Sequence, residues 1–433
     1  MVDRRTFIKA SAAAVAAGGA LLEHAGEASN LGAPAEVGPG PGRLGVEVPN
    51  GKKLEFRRVG GVKVFHLIAA PLKHELIPGV EVECWGYNGS TPGPLIEVVE
   101  GDRVRIYVSN ALPAPTSVHW HGVMVPNGMD GVRGLTQAPI RPGQTHKYEF
   151  VFKHPGTYMY HPHYDDMTQS ALGMMGMIVV HPKEPRGPRA DRDFALMLST
   201  WFVEPGARRP NPLKMSDFNV LTFNSKAYPG TAPWVVQRGQ RVRVRFGNLS
   251  AMDHHAIHFH GVRLKVVATD GGPIPEAGQW PETSVLVPTG STRDVEFIPE
   301  LSGDWPVHCH MTHHAMNQMG HAESLIGADT DRIQSVMAEA GERLMVMGSV
   351  GMGEHGRHLQ HMKHPENSAP MLGAEGPFGF IDMGGMFTLL KVRDRLENLE
   401  DPGWYKHPEG TLSATASEEE LAKDGVVPPA GEE

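Results

Sequence analysis

Short segments of this chain alternate apolar and polar residues with the two-residue period of a half-buried β-strand. The alternation is clear in residues 101–106, 147–152 and 293–297, and a Pro-Gly or Thr-Gly turn precedes each of the last two. Few stretches of this part of the chain carry helical spacing. Short, regularly spaced strands with such turns are typical of antiparallel β-sandwiches and barrels. The pattern therefore predicts an all-β protein with one of these folds.

The same order of features occurs twice along the chain. Residues 87–122 and 223–261 both run from an aromatic-Asn dipeptide, through a Gly-x-Arg-Val-Arg strand, to a His-x-His-Gly motif. Each copy then continues through a turn, an alternating strand and a Gly-aromatic approach to a second histidine pair. The repeat predicts two related β-domains, residues 50–183 and 190–392, joined by the polar segment 182–192.

An insertion, residues 322–380, separates the second copy from its last strand, which we expect at residues 386–392. Apolar positions at helical spacing predict a helix over residues 331–347, ended by Gly348. Methionines and histidines among glycines follow this helix. Because thioether ligands favour Cu(I), we expect this stretch either to bind cuprous ion or to cover the pocket that an electron donor would enter. The alternative is a flexible loop whose methionines pack as filler.

Both ends of the chain lie outside the two predicted domains. Arg4 and Arg5 before a short, alanine-rich apolar run look like a twin-arginine signal peptide, residues 1–28, followed by a flexible lead, residues 29–49. This predicts a periplasmic or secreted protein, since the apolar run is too short to span a bilayer comfortably. In the charged tail, residues 393–433, Ser417 and Glu420 form a capping box, which predicts a short helix at 417–423.

The composition excludes several classes of protein. The net charge of -9 comes with interspersed signs, so nothing suggests a nucleic-acid partner, and we expect no membrane span. Two cysteines provide no disulfide framework. Cys84 has the pattern of a buried strand thiol, which leaves Cys309 as the thiol with a chemical context.

That context is a set of four His-x-His pairs, one of which is split by Cys309. The pairs are His119 and His121, His161 and His163, His258 and His260, and His308 and His310. His255, His314 and Met319 stand close to the last two pairs in sequence. Imidazole suits several metals, but two histidines and a thiolate with a weak axial methionine are typical of an electron-transferring blue copper. On a strand, alternation would turn His308 and His310 away from Cys309, toward other metals.

The first copy does not preserve this cysteine site. Aligning the copies places Thr116 at the position of His255, Pro162 at that of Cys309, Met167 at that of His314, and Leu172 at that of Met319. The first copy nevertheless keeps both of its histidine pairs. The cysteine site is therefore expected in the second domain alone.

The four motifs resemble the copper signatures of the multicopper oxidases, and the short spacing between the domains resembles the two-domain members, or small laccases. The resemblance covers residues 50–325 and implies two cupredoxin-like Greek-key β-sandwiches, about four copper ions per chain and a homotrimer. It implies reduction of dioxygen to water with electrons from a phenol or a metal ion such as Cu(I). It assigns His255, Cys309, His314 and Met319 to type 1 copper, His119 and His258 to type 2 copper, and His121, His161, His163, His260, His308 and His310 to the type 3 pair.

Some assignments have competitors. Asp130 resembles the family's proton-relay carboxylate, while Asp165 and Asp166 are weaker candidates that could equally be turn-forming surface residues. His254, His313 and Met316 stand beside predicted ligands and are alternatives to them. Two other functions stay open, a copper nitrite reductase and a copper-binding or storage protein. The nitrite reductases keep their type 1 cysteine in the first domain, where this chain has Pro162.

Overall fold

A computed structural model describes residues 34–185, 187–204, 206–214, 216–318, 366–371 and 373–428. The predicted signal peptide and the predicted helix over 331–347 lie outside the described residues. The strands of the first half are β1 (Phe56–Val59), β2 (Val62–Ile77), β3 (Val80–Tyr87), β4 (Gly93–Val99), β5 (Arg103–Asn110), β6 (His119–His121), β7 (Thr145–Val151), β8 (Gly156–His161) and β9 (Gly176–His181).

The second half of the chain is built in the same way. Its strands are β10 (Arg192–Trp201), β11 (Val220–Phe223), β12 (Trp234–Gln237), β13 (Val242–Asn248), β14 (His255–Phe259), β15 (Leu264–Thr269), β16 (Gly272–Pro273), β17 (Trp280–Glu282), β18 (Ser284–Val287), β19 (Ser291–Phe297), β20 (Gly303–Cys309), β21 (Glu375–Gly376), β22 (Gly379–Phe380) and β23 (Phe387–Arg393). The described residues also form helix α1 (Asp166–Ala171), helix α2 (Glu418–Asp424) and 3₁₀ turns at Asn127–Met129, Glu276–Gly278 and Thr312–Ala315.

Apart from a small sheet of β21 and β22, the described strands assemble into two pairs of sheets. The first half contains a five-stranded sheet of β1, β2, β3, β5 and β7 and a four-stranded sheet in the order β4-β9-β8-β6. The second half contains a seven-stranded sheet around β10, β13, β19 and β15 and a five-stranded sheet in the order β12-β23-β20-β14-β18. The all-β class predicted from the alternating pattern is confirmed.

The pairing departs from a purely antiparallel arrangement at four places, two in each half. The strands β2 and β5, β4 and β9, β10 and β13, and β12 and β23 pair in parallel. Parallel pairing requires a long crossover connection, which alternation within single strands does not reveal. The parallel pairs occur in matching positions of both halves, so the internal repeat extends to sheet topology.

Each half has its own apolar core between its two sheets. Trp120 lies at the centre of the first core, and Trp234 and Cys309 belong to the second. Cys84, predicted to be a buried strand thiol, lies on β3 and is 1% exposed. The predicted last strand is observed as β23, and the predicted tail helix as α2, with the reciprocal capping box of Ser417 and Glu420 present.

The tail lies against the second half of the chain. Lys391 lies over the ring of Trp404, at 4.9 Å, and Arg393 over the ring of Tyr405, at 5.4 Å. The Tyr405 amide donates to the Asp304 carboxylate at 2.8 Å. Trp404 and Tyr405 are therefore both in contact with their own chain. In the described residues, no helix is both long and apolar enough to cross a membrane.

A buried arginine connects the two halves. Arg245 on β13 donates two hydrogen bonds to the Asp193 carboxylate, at 2.7 and 2.8 Å, and one to Asp294, at 2.9 Å. It also donates to the Thr157 hydroxyl of the first half at 3.0 Å. Burial lowers the pKa of the guanidinium, but Asp193 and Asp294 outweigh burial and raise it above its ordinary value. The cluster is therefore charged and shielded from water, and every guanidinium nitrogen of the arginine donates a hydrogen bond.

Replacing Arg245 with Met should destabilise the protein by about 3–5 kcal/mol, because Asp193 and Asp294 would remain buried without their partner. Arg103→Met is the matched control, since Arg103 pairs with Glu149 at the surface and exposed pairs contribute about 1 kcal/mol or less. Urea unfolding followed by tryptophan fluorescence measures both. Equal unfolding midpoints for the two variants would contradict this account of the interface.

Candidate metal sites

Four histidines of the first half form one group, which we call the first tetrad: His119, His121, His161 and His163. The strand β6 pairs with β8 so that His119 lies opposite His161. Because side chains alternate along β6, Trp120 enters the core while His119 and His121 lie on the other face. The ring centroids lie 5.4–5.8 Å apart between His119 and each of the other three.

Hydrogen bonds orient three rings of the first tetrad. His119 Nδ1 lies 2.8 Å from the carbonyl oxygen of Asp130, and His161 Nδ1 lies 2.9 Å from that of Pro162. His121 is turned the other way, with Nε2 2.9 Å from the carbonyl oxygen of Gly290 in the second half. In each case a nitrogen that donates to a carbonyl leaves the other nitrogen free as a ligand. The ligand atoms of these three residues lie within 4.8 Å of one another.

The second half repeats this arrangement in a second tetrad: His258, His260, His308 and His310. The strands β14 and β20 pair so that His258 lies opposite His308, as His119 lies opposite His161. His258 Nδ1 lies 2.8 Å from the carbonyl oxygen of Thr283, and His260 Nε2 lies 3.3 Å from His308 Nε2. Ring centroids within this tetrad lie 4.8–5.7 Å apart.

The opposite face of the same two strands carries a buried triad of His255, Cys309 and His314. Cys309 Sγ lies 3.3 Å from His314 Nδ1 and 3.7 Å from His255 Nδ1, and the two nitrogens are 3.3 Å apart. Cys309 and His255 are completely buried, and His314 is 2% exposed. The predicted alternation around Cys309 is observed, since the His308 side chain belongs to the second tetrad on one face of β20 and the Cys309 side chain to the triad on the other.

The triad has the dimensions of a trigonal metal site. Bonds of about 2.0 Å to nitrogen and 2.3 Å to sulfur, at angles of about 120°, place donor atoms roughly 3.5–3.7 Å apart. The observed separations, 3.3–3.7 Å, match that size. Two imidazoles and one thiolate are the equatorial ligands of blue copper. Met319, the predicted axial ligand, lies outside the described residues.

Burial sets the protonation of these groups. Burial raises the pKa of the Cys309 thiol to about 11, and burial together with His314 lowers the pKa of His255 well below its ordinary value. Burial also lowers the pKa values of His119, His121, His260 and His308. These imidazoles are therefore neutral near pH 7, which is the form that binds metal, whereas the thiol requires a bound cation to lose its proton.

In the first half, other side chains occupy the positions that match the triad. The Thr116 hydroxyl donates to the side-chain oxygen of Gln169 at 2.7 Å, and both residues are buried. Leu172 is fully buried beside them, and Met167 is 47% exposed. A neutral hydrogen bond and an aliphatic side chain occupy this region, so it offers no soft ligand set.

The three candidate acids differ in their positions. The Asp130 carboxylate lies 3.4 Å from His119 Nδ1, and the Asp166 carboxylate lies 3.4 Å from His161 Nδ1. Partial burial opposes ionisation of Asp166, but the hydrogen bond with His161 outweighs it and keeps the pKa below its ordinary value. Asp165 is exposed at the start of α1, and its side chain makes no capping hydrogen bond. Two of the three acids therefore reach the first tetrad.

The neighbours of the predicted ligands have other roles. His254 is exposed, and its Nδ1 accepts a hydrogen bond from the Thr289 amide at 3.1 Å. His313 stacks edge-on against His314, with ring centroids 4.3 Å apart. The Met/His-rich stretch returns beside the triad, where the Asn317 amide donates to the Met371 carbonyl at 2.8 Å. The histidines of that stretch lie outside the described residues.

Several residues at these sites were not anticipated from the sequence. Gly290 supplies the carbonyl that orients His121, and Thr283 supplies the one that orients His258. Ser250 Oγ lies 2.8 Å from His255 Nε2. Backbone carbonyls carry no residue-type signal, and Ser250 matches no metal motif, so the sequence pattern does not indicate these contacts.

Replacing Cys309 with Ala should abolish the blue absorption of the copper-loaded protein and remove one copper site, because the triad loses its thiolate. Cys84→Ala is the matched control, since it also removes a buried thiol but lies outside all three histidine groups. Visible absorption and copper content by mass spectrometry measure both variants. Loss of the blue band in Cys84→Ala, or its survival in Cys309→Ala, would contradict the assignment.

Comparison with known proteins agrees with this geometry. Two models of the multicopper oxidase family match residues 71–185 and 204–322, which together make up more than half of the chain. Copper resistance protein A of Escherichia coli is 28% identical over 356 residues, covering 69% of this chain and 57% of that protein. Copper resistance protein A of Pseudomonas syringae pv. tomato is 30% identical over 318 residues, covering 62% and 48%. The chain thus spans about half the length of these relatives.

A solved structure shows the same fold. The blue copper oxidase from Nitrosomonas europaea superposes with a TM-score of 0.56 at 26% identity, covering 76% of this chain and 85% of that one. Family models match both halves, and the histidine-bearing strands of both halves follow one register. The resemblance first drawn from the four histidine motifs is therefore confirmed, and the chain belongs to the multicopper oxidases, with cupredoxin-like domains and copper as its metal.

Proposed function

We propose that this protein is an oxidase that takes single electrons from a donor at the triad and reduces dioxygen to water at the histidine tetrads. The observation that carries the proposal is the position of Cys309, whose sequence neighbours His308 and His310 lie on the opposite face of the same strand. Bound copper would supply one-electron redox chemistry at the triad and dioxygen reduction at the tetrads. The backbone of residues 308–310 is then the shortest covalent connection between the two kinds of site.

The ligand roles follow the family pattern. In this proposal His255, Cys309, His314 and Met319 hold type 1 copper, and His119 and His258 hold type 2 copper. The type 3 pair is held by His121, His161, His163, His260, His308 and His310. Asp130 and Asp166 are the proposed proton-relay carboxylates, because four protons must reach dioxygen and both carboxylates lie beside tetrad histidines.

We further propose that the two domains, residues 50–183 and 190–392, form the oxygen site between neighbouring chains of a homotrimer. Among the described residues, no hydrogen bond or ring contact joins a histidine of one tetrad to a histidine of the other. His163 and His310 are exposed in the single chain. Leu286, on the strand that pairs with the His258 segment, is 50% exposed. A second chain would cover this face and complete each site.

The donor is proposed to be Cu(I) or a phenol. Two relatives are named copper resistance proteins, and another similar protein, from Cryptococcus neoformans, is named laccase-1. The Met/His-rich stretch rejoins the domain next to the triad, which supports access of a soft cation to that site. We also propose export by the twin-arginine route to the periplasm, which fits a protein that would oxidise copper outside the cytoplasm.

A copper nitrite reductase is the less supported alternative. That class is expected to carry its type 1 cysteine in the first domain, where the chain has Pro162. The hydrogen bond between Thr116 and Gln169 occupies the corresponding region. Measuring oxygen uptake distinguishes the proposed oxidase from a storage protein, because a storage protein would not turn over oxygen.

The copper-loaded protein should consume oxygen with both Cu(I) and a phenol. The Met/His-rich stretch should be required for the oxidation of Cu(I). Because residues 366–371 are hydrogen-bonded beside the triad, the changes are confined to the preceding stretch. The test variant replaces His355, His358, His361 and Met362 with Ala. The control variant replaces Glu354, Arg357, Gln360 and Lys363 with Ala.

In an oxygen electrode, the test variant should lose most of its Cu(I) oxidation and retain phenol oxidation, while the control retains both. Equal rates in test variant and unmodified protein would contradict a role for this stretch. No oxygen uptake with either donor, despite full copper loading, would favour storage.

Copper-loaded protein should sediment as a trimer in analytical ultracentrifugation. The physical reason is that each tetrad supplies half of the ligands for one oxygen site. Removing ligands of the first tetrad with a His119→Ala, His161→Ala double variant should lower copper retention at that shared site. A monomer that carries the full complement of copper would overturn the interchain proposal.

A further inference from the structure

A hydrogen-bonded block in the second half connects the triad to the first tetrad of the same chain. Asn248, fully buried at the end of β13, donates to the carbonyls of Asp253 and Val287 at 2.9 and 3.0 Å. Its own carbonyl accepts from the Gly290 amide at 2.9 Å, and its side-chain oxygen accepts from the Ser250 amide at 2.9 Å. The loop before His255 and the turn before β19 are thereby held as one unit.

Each end of this block contacts a proposed copper ligand. Ser250 Oγ lies 2.8 Å from His255 Nε2, the nitrogen that faces away from Cys309. The carbonyl of Gly290 accepts from His121 Nε2, so His121 is left with Nδ1 toward the first tetrad. Between these ends, the Thr289 hydroxyl donates to the Ser250 carbonyl. The route from His255 to His121 therefore consists of two side-chain hydroxyls and one short turn.

The first half provides an internal comparison. Asn110 builds the same block there, accepting from the Leu112 amide at 2.9 Å and from the Gly143 amide at 2.7 Å. Leu112 and Pro142 stand where the second half has Ser250 and Thr289, so the first block has neither hydroxyl. That half also lacks a cysteine site. The two hydroxyls are thus additions to a scaffold that is complete without them, and they occur in the half that holds the triad.

We propose that Ser250 and Thr289 are positioning residues that couple the triad to the first tetrad of the same chain. Ser250 orients His255, and Thr289 fixes the turn that presents the Gly290 carbonyl to His121. The inference rests on the proposed function and deepens it. The strand route through His308 and His310 reaches only the second tetrad. In a homotrimer, the block would therefore connect each triad to a second oxygen site, the one shared with the other neighbour.

The test compares Thr289→Val, Thr289→Ser and Ser250→Ala in the full chain. Valine keeps the shape of threonine but loses the hydroxyl, and serine restores it. Thr145→Val is the matched control, because its hydroxyl bonds Ser109 at 2.7 Å just after the equivalent turn of the first half. Copper affinity at the triad is read from the blue absorption during titration with a competing chelator. Affinity at the histidine sites is read from copper content in a Cys309→Ala background.

Thr289→Val should weaken copper binding in both readouts by about tenfold, the lower range for loss of a group that orients a ligand. Thr289→Ser should restore both, Ser250→Ala should weaken mainly the blue site, and Thr145→Val should change neither. Weakening of only one site in Thr289→Val, failure of serine to restore binding, or an equal loss in the control would overturn the coupling. An unmodified chain without blue absorption would instead contradict the proposed function, and this inference with it.

Discussion

The antiparallel register of β14 and β20 is the constraint on which both kinds of metal site depend. It places His258 opposite His308 and Ile257 opposite Cys309. Because side chains alternate across a strand, one face of this pair presents imidazoles to the tetrad and the other buries a thiol against His255. A slip of one residue would exchange the two faces and destroy both sites. Phe259 and Val307, which pair across these two strands and are buried in the core of the second half, oppose such a slip.

The same register in the first half supports a different outcome. His119 lies opposite His161, so the tetrad survives, while the region behind it has become a neutral contact between Thr116 and Gln169. Retaining imidazoles on one face does not require a metal on the other. This independence explains how two related β-domains can carry two similar histidine tetrads and, among the described residues, a single cysteine-containing triad.

Contacts between the halves have two distinct functions. The Arg245 cluster, with Asp193, Asp294 and Thr157, holds the halves together through buried charges, and every guanidinium nitrogen donates a hydrogen bond. The Gly290 carbonyl crosses the same boundary for a local purpose, since it selects the nitrogen that His121 presents. The first contact maintains the arrangement of the sheets, and the second converts that arrangement into ligand geometry. A change in domain orientation would therefore alter the hydrogen bond that orients His121, a proposed copper ligand.

Sequence alone determined the all-β class, the repeat, and the residue types gathered at each site, because alternation and His-x-His spacing are properties of single strands. The capping box of Ser417 with Glu420 was equally readable, since it involves residues three positions apart. Only the tertiary structure decided which strands pair in parallel, because crossover partners are distant in sequence. It alone also identified the partners of His121, His255 and Arg245, since hydrogen bonds to carbonyls and hydroxyls of remote segments depend on how the sheets pack. Pattern specifies which side chains share a face, and packing decides what each face meets.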